Sequence, residues 1–127
     1  MIYTFDYDNR FVPSMPVAEI IIAGRRSATQ LTLCAILDSG ADATIIPERH
    51  LRQIRARRSG KAWMRGAALQ RTLVNLYAVS LQLGDFEQRQ LLVVGGLDEQ
   101  EVIVGRDVLN QLIVTLNGLA AVTEISA

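Results

Sequence analysis

The apolar run Leu31-Thr32-Leu33-Cys34-Ala35-Ile36-Leu37 stops abruptly at Asp38-Ser39-Gly40-Ala41-Asp42. Its length and its turn-like C-terminal boundary predict a buried strand. A carboxylate at the end of such a strand is costly unless it is solvated, paired or used. Any fold for this chain must therefore carry a buried strand outward to an acid. Gly40 lets the backbone turn sharply there and approach another chain closely. Alone, Asp-Ser-Gly also suits an ordinary turn.

Short strand-like runs separated by turn residues fill the rest of the chain. Residues 17–23 and 28–37 read as strands around the turn Gly24-Arg25-Arg26-Ser27. Residues 11–16 are extended, but Pro13 and Pro16 bar them from a central strand. Residues 43–46 are apolar, and Pro47 opens a short helix over 48–54, because proline suits the first helical turn. Residues 55–60 read as a polar, basic loop. Residues 62–83 are mostly extended with Gly66 near their start, Gly84-Asp85 is a turn, and 86–94 is another strand. Gly95-Gly96 and the residues to 100 read as loop, since they lack the spacing and following helix of a dinucleotide site.

Val102-Ile103-Val104 is a buried strand stub that ends at Gly105, and a helical patch follows over 106–112. Residues 113–116 and 119–125 flank Asn117-Gly118, a strong hairpin signal because both residues tolerate positive φ. The pattern predicts one mainly β domain over residues 1–127, with one or two short helices and an extended N-terminal segment over 1–16.

Two segments then gain meaning together. Leu37-Asp38-Ser39-Gly40-Ala41-Asp42 resembles the hydrophobic-Asp-Thr/Ser-Gly-Ala-Asp active-site loop of the retropepsin family, the small aspartic peptidases of retroviruses and their bacterial and cellular relatives. Ile103-Val104-Gly105-Arg106-Asp107-Val108-Leu109 resembles that family's hydrophobic-hydrophobic-Gly-Arg-Asn/Asp-hydrophobic-Leu motif, and Thr115-Leu116-Asn117 resembles the end of the retroviral enzymes. The resemblance spans roughly residues 17–118. It implies a retropepsin-like half-barrel, one lobe per chain, and peptide-bond hydrolysis by a dyad of aspartates.

The chain holds one Asp-Ser-Gly and no second Asp-Thr-Gly or Asp-Ser-Gly. On this resemblance one chain supplies half of the dyad, so the implied partners are a second copy of itself and an extended polypeptide substrate. No cofactor and no metal is implied. Asp38 is the implied acid/base, and Ser39 braces the partner loop across the axis with one methyl fewer than the commoner threonine. Gly40 receives a substrate backbone group at its carbonyl. Asp42 and Arg106 match the family's buried ion pair, for which loss of Arg106 alone would cost about 3–5 kcal/mol.

Residues 61–73 become the candidate flap, closing over substrate. Its tip lies near Arg65-Gly66-Ala67-Ala68, with one glycine where the family is glycine-rich, and Trp63 and Met64 are flap-packing residues. Ala41, Asp42, Arg65, Gly66, Ala67, Ile103 and Val104 are the expected substrate-binding residues. Ile45, Ile103 and Val104 line or support apolar subsites, and Gly105 and Arg106 support the loop.

Other features read as ordinary. Cys34 is the single cysteine, which excludes an internal disulfide; inside an apolar run it is expected as a small core residue. His50 is the single histidine and reads as a solvated helix position. Arg52, Arg55, Arg57, Arg58 and Lys61 could contact phosphates, but a formal net charge of +0 favours a solvated surface and no nucleic-acid partner. Asp6, Asp8, Asp85 and Asp98 read as surface or turn residues. The N-terminus carries no basic region followed by an apolar one, and no apolar run approaches the roughly 20 residues that span a bilayer. The expectation is a cytoplasmic protein without a membrane partner. The alternative function is a retropepsin-like dimer that binds extended peptides without cutting them, since fold alone does not establish activity.

Overall fold

Alternation decides the main sheet. In β2 (Val17–Ala23), Ala18, Ile20 and Ile22 are fully buried while Glu19 faces out. The computed structural model describes residues 1–25, 28–66 and 68–127. Along the chain the other elements are β1 (Ile2–Asp6), β3 (Gln30–Leu37), β4 (Ile45–Pro47), α1 (Glu48–Gln53), β5 (Arg57–Arg65), β6 (Arg71–Leu83), β7 (Phe86–Gly96), β8 (Ile103–Val104), α2 (Arg106–Leu109), β9 (Ile113–Asn117) and β10 (Val122–Ser126). The fold is mainly β with two short helices, as the sequence predicts.

Seven strands form one sheet in the order β2-β3-β8-β4-β7-β6-β5, and β2 also pairs with β6. Six strands thus close on themselves, leaving β5 outside β6. A second sheet, β1-β10-β9, carries both chain ends. One core joins Ile20, Ile22, Ile46, Leu81, Val93 and Val104 of the main sheet to Leu51 and Ile54, to Val108 of α2 and to Ile125 of β10. Among the described residues, no helix is long and apolar enough to cross a membrane.

Several local expectations change. Residues 55–60 are not all loop: Arg57 and Arg58 pair with Ala78 and Tyr77, and a bulge shifts the register before Gly60 pairs with Leu76. A solvated outer strand needs no apolar face, and charged residues protect such an edge, so composition hid it. Gly95 and Gly96 end β7 rather than forming loop, pairing with Ile46 and Pro47. The helical patch stops at Leu109.

Asn117-Gly118 is not a two-residue hairpin. Asn117 pairs with Val122 across a four-residue connection, in which Asn117 Oδ1 accepts the Ala120 N–H at 3.1 Å and Ala121 takes the left-handed φ of 54°. Cys34 is exposed rather than in the core, opposite Glu19 on the solvent side, because period-two alternation turns Ala35 inward instead. The turn expected over Gly24-Arg25-Arg26-Ser27 falls in part on Arg26 and Ser27, which lie outside the described residues. The N-terminal segment contains a strand, β1, whose Tyr3 hydroxyl donates to Asp85 at 2.5 Å.

Asp98 does more than sit in a turn. Its Oδ1 accepts the Arg49 N–H at 2.8 Å in the first turn of α1, and its Oδ2 pairs with Arg52 at 3.2 Å. The Arg49 N–H, joined by Arg52, holds the Asp98 carboxyl below the ordinary carboxylate range.

Candidate active site

Backbone pairing aims Asp38. Ile36 and Leu37 run parallel to Ile103 and Val104, and the Asp38 N–H donates to the Val104 carbonyl at 3.0 Å. The chain then turns, with the Ala41 N–H donating to the Asp38 carbonyl at 3.1 Å. Asp38 is half-buried, and Ser39 and Gly40 are exposed. The Gly40 N–H donates to Asp38 Oδ1 at 2.8 Å and orients the carboxylate. A Cβ on Gly40 would lie 3.1 Å from that same oxygen, so the glycine serves close approach.

Behind the loop stands α2. The Arg106 N–H donates to the Ala41 carbonyl at 2.9 Å, and its guanidinium donates to the Ser39 carbonyl at 2.7 Å and pairs with Asp42. The expected burial of that pair is not observed: the Asp42 side chain is 89% exposed and that of Arg106 41%. So open a pair contributes about 0–1 kcal/mol, and the larger figure for a buried pair does not apply.

The buried tie lies one step away. Thr44 is fully buried, and its N–H and hydroxyl donate to the Asp107 carboxylate at 2.9 and 2.8 Å. The Gly105 N–H reaches the Thr44 hydroxyl oxygen at 3.3 Å. Sequence reasoning assigned neither residue a role; the available signal was Asp107 at the Asn/Asp position of the Gly-Arg motif. Gly105 is needed for contact: an added Cβ would lie 2.7 Å from Ala43 backbone atoms and 2.8 Å from the Ala41 carbonyl.

Over the loop projects the β5–β6 hairpin, paired from Arg57 with Ala78 outward to Arg65 with Arg71. At its end the Gly66 N–H donates to the Gln70 carbonyl at 2.9 Å, and Leu69 takes a φ of 65°. Ala67, expected at the tip, lies outside the described residues. Trp63 is 60% exposed rather than packed inside the hairpin, and the Arg71 guanidinium stands 4.9 Å from its ring centre.

A cleft of about 600 Å³ brings Gly40, Ala41 and Asp42 together with Trp63, Arg65 and Arg71. A neighbouring space of about 450 Å³ runs past Ile45, Met64, Gly66 and Leu73. Val104 is fully buried and can only support a subsite from beneath, while Ile103 is half-buried. A larger concavity of about 710 Å³, beside Gly24, Arg57, Ser80 and Arg89, contains no residue of the Asp38 loop. Chemistry favours the smaller cleft, where a carboxylate loop faces a hairpin.

His50 is half-buried with Nδ1 3.4 Å from Gln53 Oε1. Among the described residues, no group of three or more His, Cys, Asp or Glu could hold a metal ion.

Comparison with known proteins adds three findings. The family model described as retroviral aspartyl protease matches residues 13–117. The solved EIAV protease, in complex with the inhibitor HBY-793, is similar at 21% identity and a TM-score of 0.57, covering 76% of this chain and 86% of that one. A retropepsin-like aspartic protease from Rickettsia conorii is similar at 11% identity and a TM-score of 0.62, covering 98% of this chain and 91% of its own. At such identities the likeness is one of fold. A search of the curated proteins found no match.

Proposed function

This chain belongs to the retroviral aspartyl protease family, and from that premise we propose that it is a homodimeric aspartic endopeptidase whose catalytic pair is Asp38 from each of two subunits. The observation that carries this reading is the half-buried Asp38 carboxylate at the end of β3, oriented by the N–H of Gly40, whose loop borders an open cleft.

Two facing carboxylates cannot both ionise cheaply, so the pair shares one proton. The ionised Asp38 takes a proton from a water held between them as that oxygen adds to the scissile carbonyl carbon. The other Asp38 gives its proton to the carbonyl oxygen. The resulting diol collapses as the amide nitrogen is protonated and the C–N bond breaks. Ser39 braces the partner loop, and the Gly40 carbonyl receives a substrate N–H. Ala41, Asp42, Arg65, Gly66 and Ala67 border the peptide, with Ile103 at an apolar subsite.

A single Asp-Ser-Gly makes a second copy necessary, and a two-fold axis brings each Asp38 to its own equivalent. The outer edge of β9 is suited to such a copy. Ile113 and Leu116 are 67% and 57% exposed on a strand that ends its sheet.

The test is mass-spectrometric mapping of cleavage in a diverse peptide library, across a range of pH, by wild type and Asp38→Asn. The expected result is cleavage by wild type, inhibition by pepstatin-like compounds, and complete loss in Asp38→Asn with the dimer intact. Full activity in Asp38→Asn would rule the mechanism out. Peptide binding without cleavage at any pH would instead assign a non-cutting binder.

A further inference from the structure

The hairpin over the Asp38 loop contains an arrangement that costs stability. Arg65 and Arg71 are direct cross-strand partners, and like charges opposite one another are destabilising. Neither makes an ion pair among the described residues. Asp42, the acid on the same cleft wall, is engaged by Arg106. Charged residues on an outer strand usually keep other chains away, and Arg57, Arg58 and Lys61 on β5 serve that purpose without lining this cleft. Arg65 and Arg71 do line it, together with Gly40, Ala41 and Asp42.

Register places Trp63, Arg65, Arg71 and Leu73 on one face of the hairpin. The Arg71 guanidinium lies over the Trp63 ring at 4.9 Å, which restrains it while leaving its N–H edge available. Two arginines at paired backbone positions, one of them held against an indole, supply donors of the kind that recognise a carboxylate.

We propose that Arg65 and Arg71 form an anion-recognising subsite, so that the preferred substrates are polypeptides with an acidic side chain near the scissile bond. This rests on the peptidase reading. An entering Glu or Asp relieves the repulsion between the two arginines, so substrate and hairpin stabilise each other.

The experiment uses peptides from a mapped cleavage site that differ only in carrying Glu or Gln at each position in turn. At one or more positions, wild type is expected to show kcat/KM about five-fold higher for Glu, the upper end for a partly exposed charge pair, and to lose that preference as salt rises. In the double variant Arg65→Gln/Arg71→Gln the ratio should fall below about two-fold, each protein's own Gln peptide serving as its reference. Arg65→Glu/Arg71→Glu should favour Lys over Glu at the same position.

Equal rates for Glu and Gln at every position, or a preference that survives in the double variant, would overturn the proposal. A second arm takes fluorescein-labelled Glu and Gln peptide pairs drawn from the library without regard to cleavage, and measures their binding to Asp38→Asn protein by anisotropy. If no peptide is cleaved, the peptidase reading fails, and the Glu-to-Gln ratio of Kd values still decides the subsite. A ratio near one overturns it, and a ratio that collapses in the added double variant supports it.

Discussion

Around Asp38 the fixing bonds come from far along the chain, whereas in the hairpin above it they join near neighbours. Thr44 and Asp107 are 63 positions apart and meet with Thr44 fully buried. Arg65 and Arg71 are neighbours across a tip and meet in water. The loop is over-determined by groups that cannot return to solvent, so removing one leaves another unsatisfied. The hairpin is held by its ladder, and its outer side chains remain open to change. One part keeps an acid in place, and the other can answer to what enters.

The contrast should break hardest at Asp107. Asp107→Ala strands the buried Thr44 hydroxyl and N–H, and the expected loss is about 2–4 kcal/mol, read from the shift in urea midpoint at constant m. Arg106→Ala should cost less, about 1–2 kcal/mol, because its Asp42 partner is solvated and the bond to the Ser39 carbonyl is the larger part. In the hairpin the sign should reverse: Arg65→Gln should raise stability by about 0.2–0.5 kcal/mol, relieving like-charge opposition while leaving Arg71 on the Trp63 ring.

The smallest effect concerns pH. The Asp98 carboxyl is held below its ordinary value of 3.8, first by the Arg49 N–H and then by Arg52. A depressed carboxylate stabilises the fold above its unfolded pKa, and that stabilisation disappears as pH falls through the folded value. Asp98→Asn should therefore be less stable than wild type at neutral pH, with the gap closing below about pH 4 in urea melts. A gap that stays constant to pH 3 would remove Asp98 from this account.

The legible parts of the sequence were those with local causes. The run into Asp38, the stub ending at Gly105 and the helix after Pro47 each carry a period or a punctuating residue, and each stands where expected. The first residues of β5 were missed because an outer strand of arginines carries no apolar alternation. Cys34 was misplaced because an apolar composition conceals which side of a strand each residue faces. Asn117-Gly118 yielded to the pairing of β9 with β10, whose register sets the connection length. Asp42 looked buried because a motif names partners without saying how much water surrounds them.

Residue order alone determined the mainly β class and the position of the single Asp-Ser-Gly loop, because those follow from periodicity, punctuation and a count of one. Folding in three dimensions decided that Thr44 rather than Asp42 anchors the loop from within, that Trp63 supports an arginine, and that two arginines share one cleft wall. Such facts depend on burial and on contacts between distant positions, and neither is a property of any short stretch of chain.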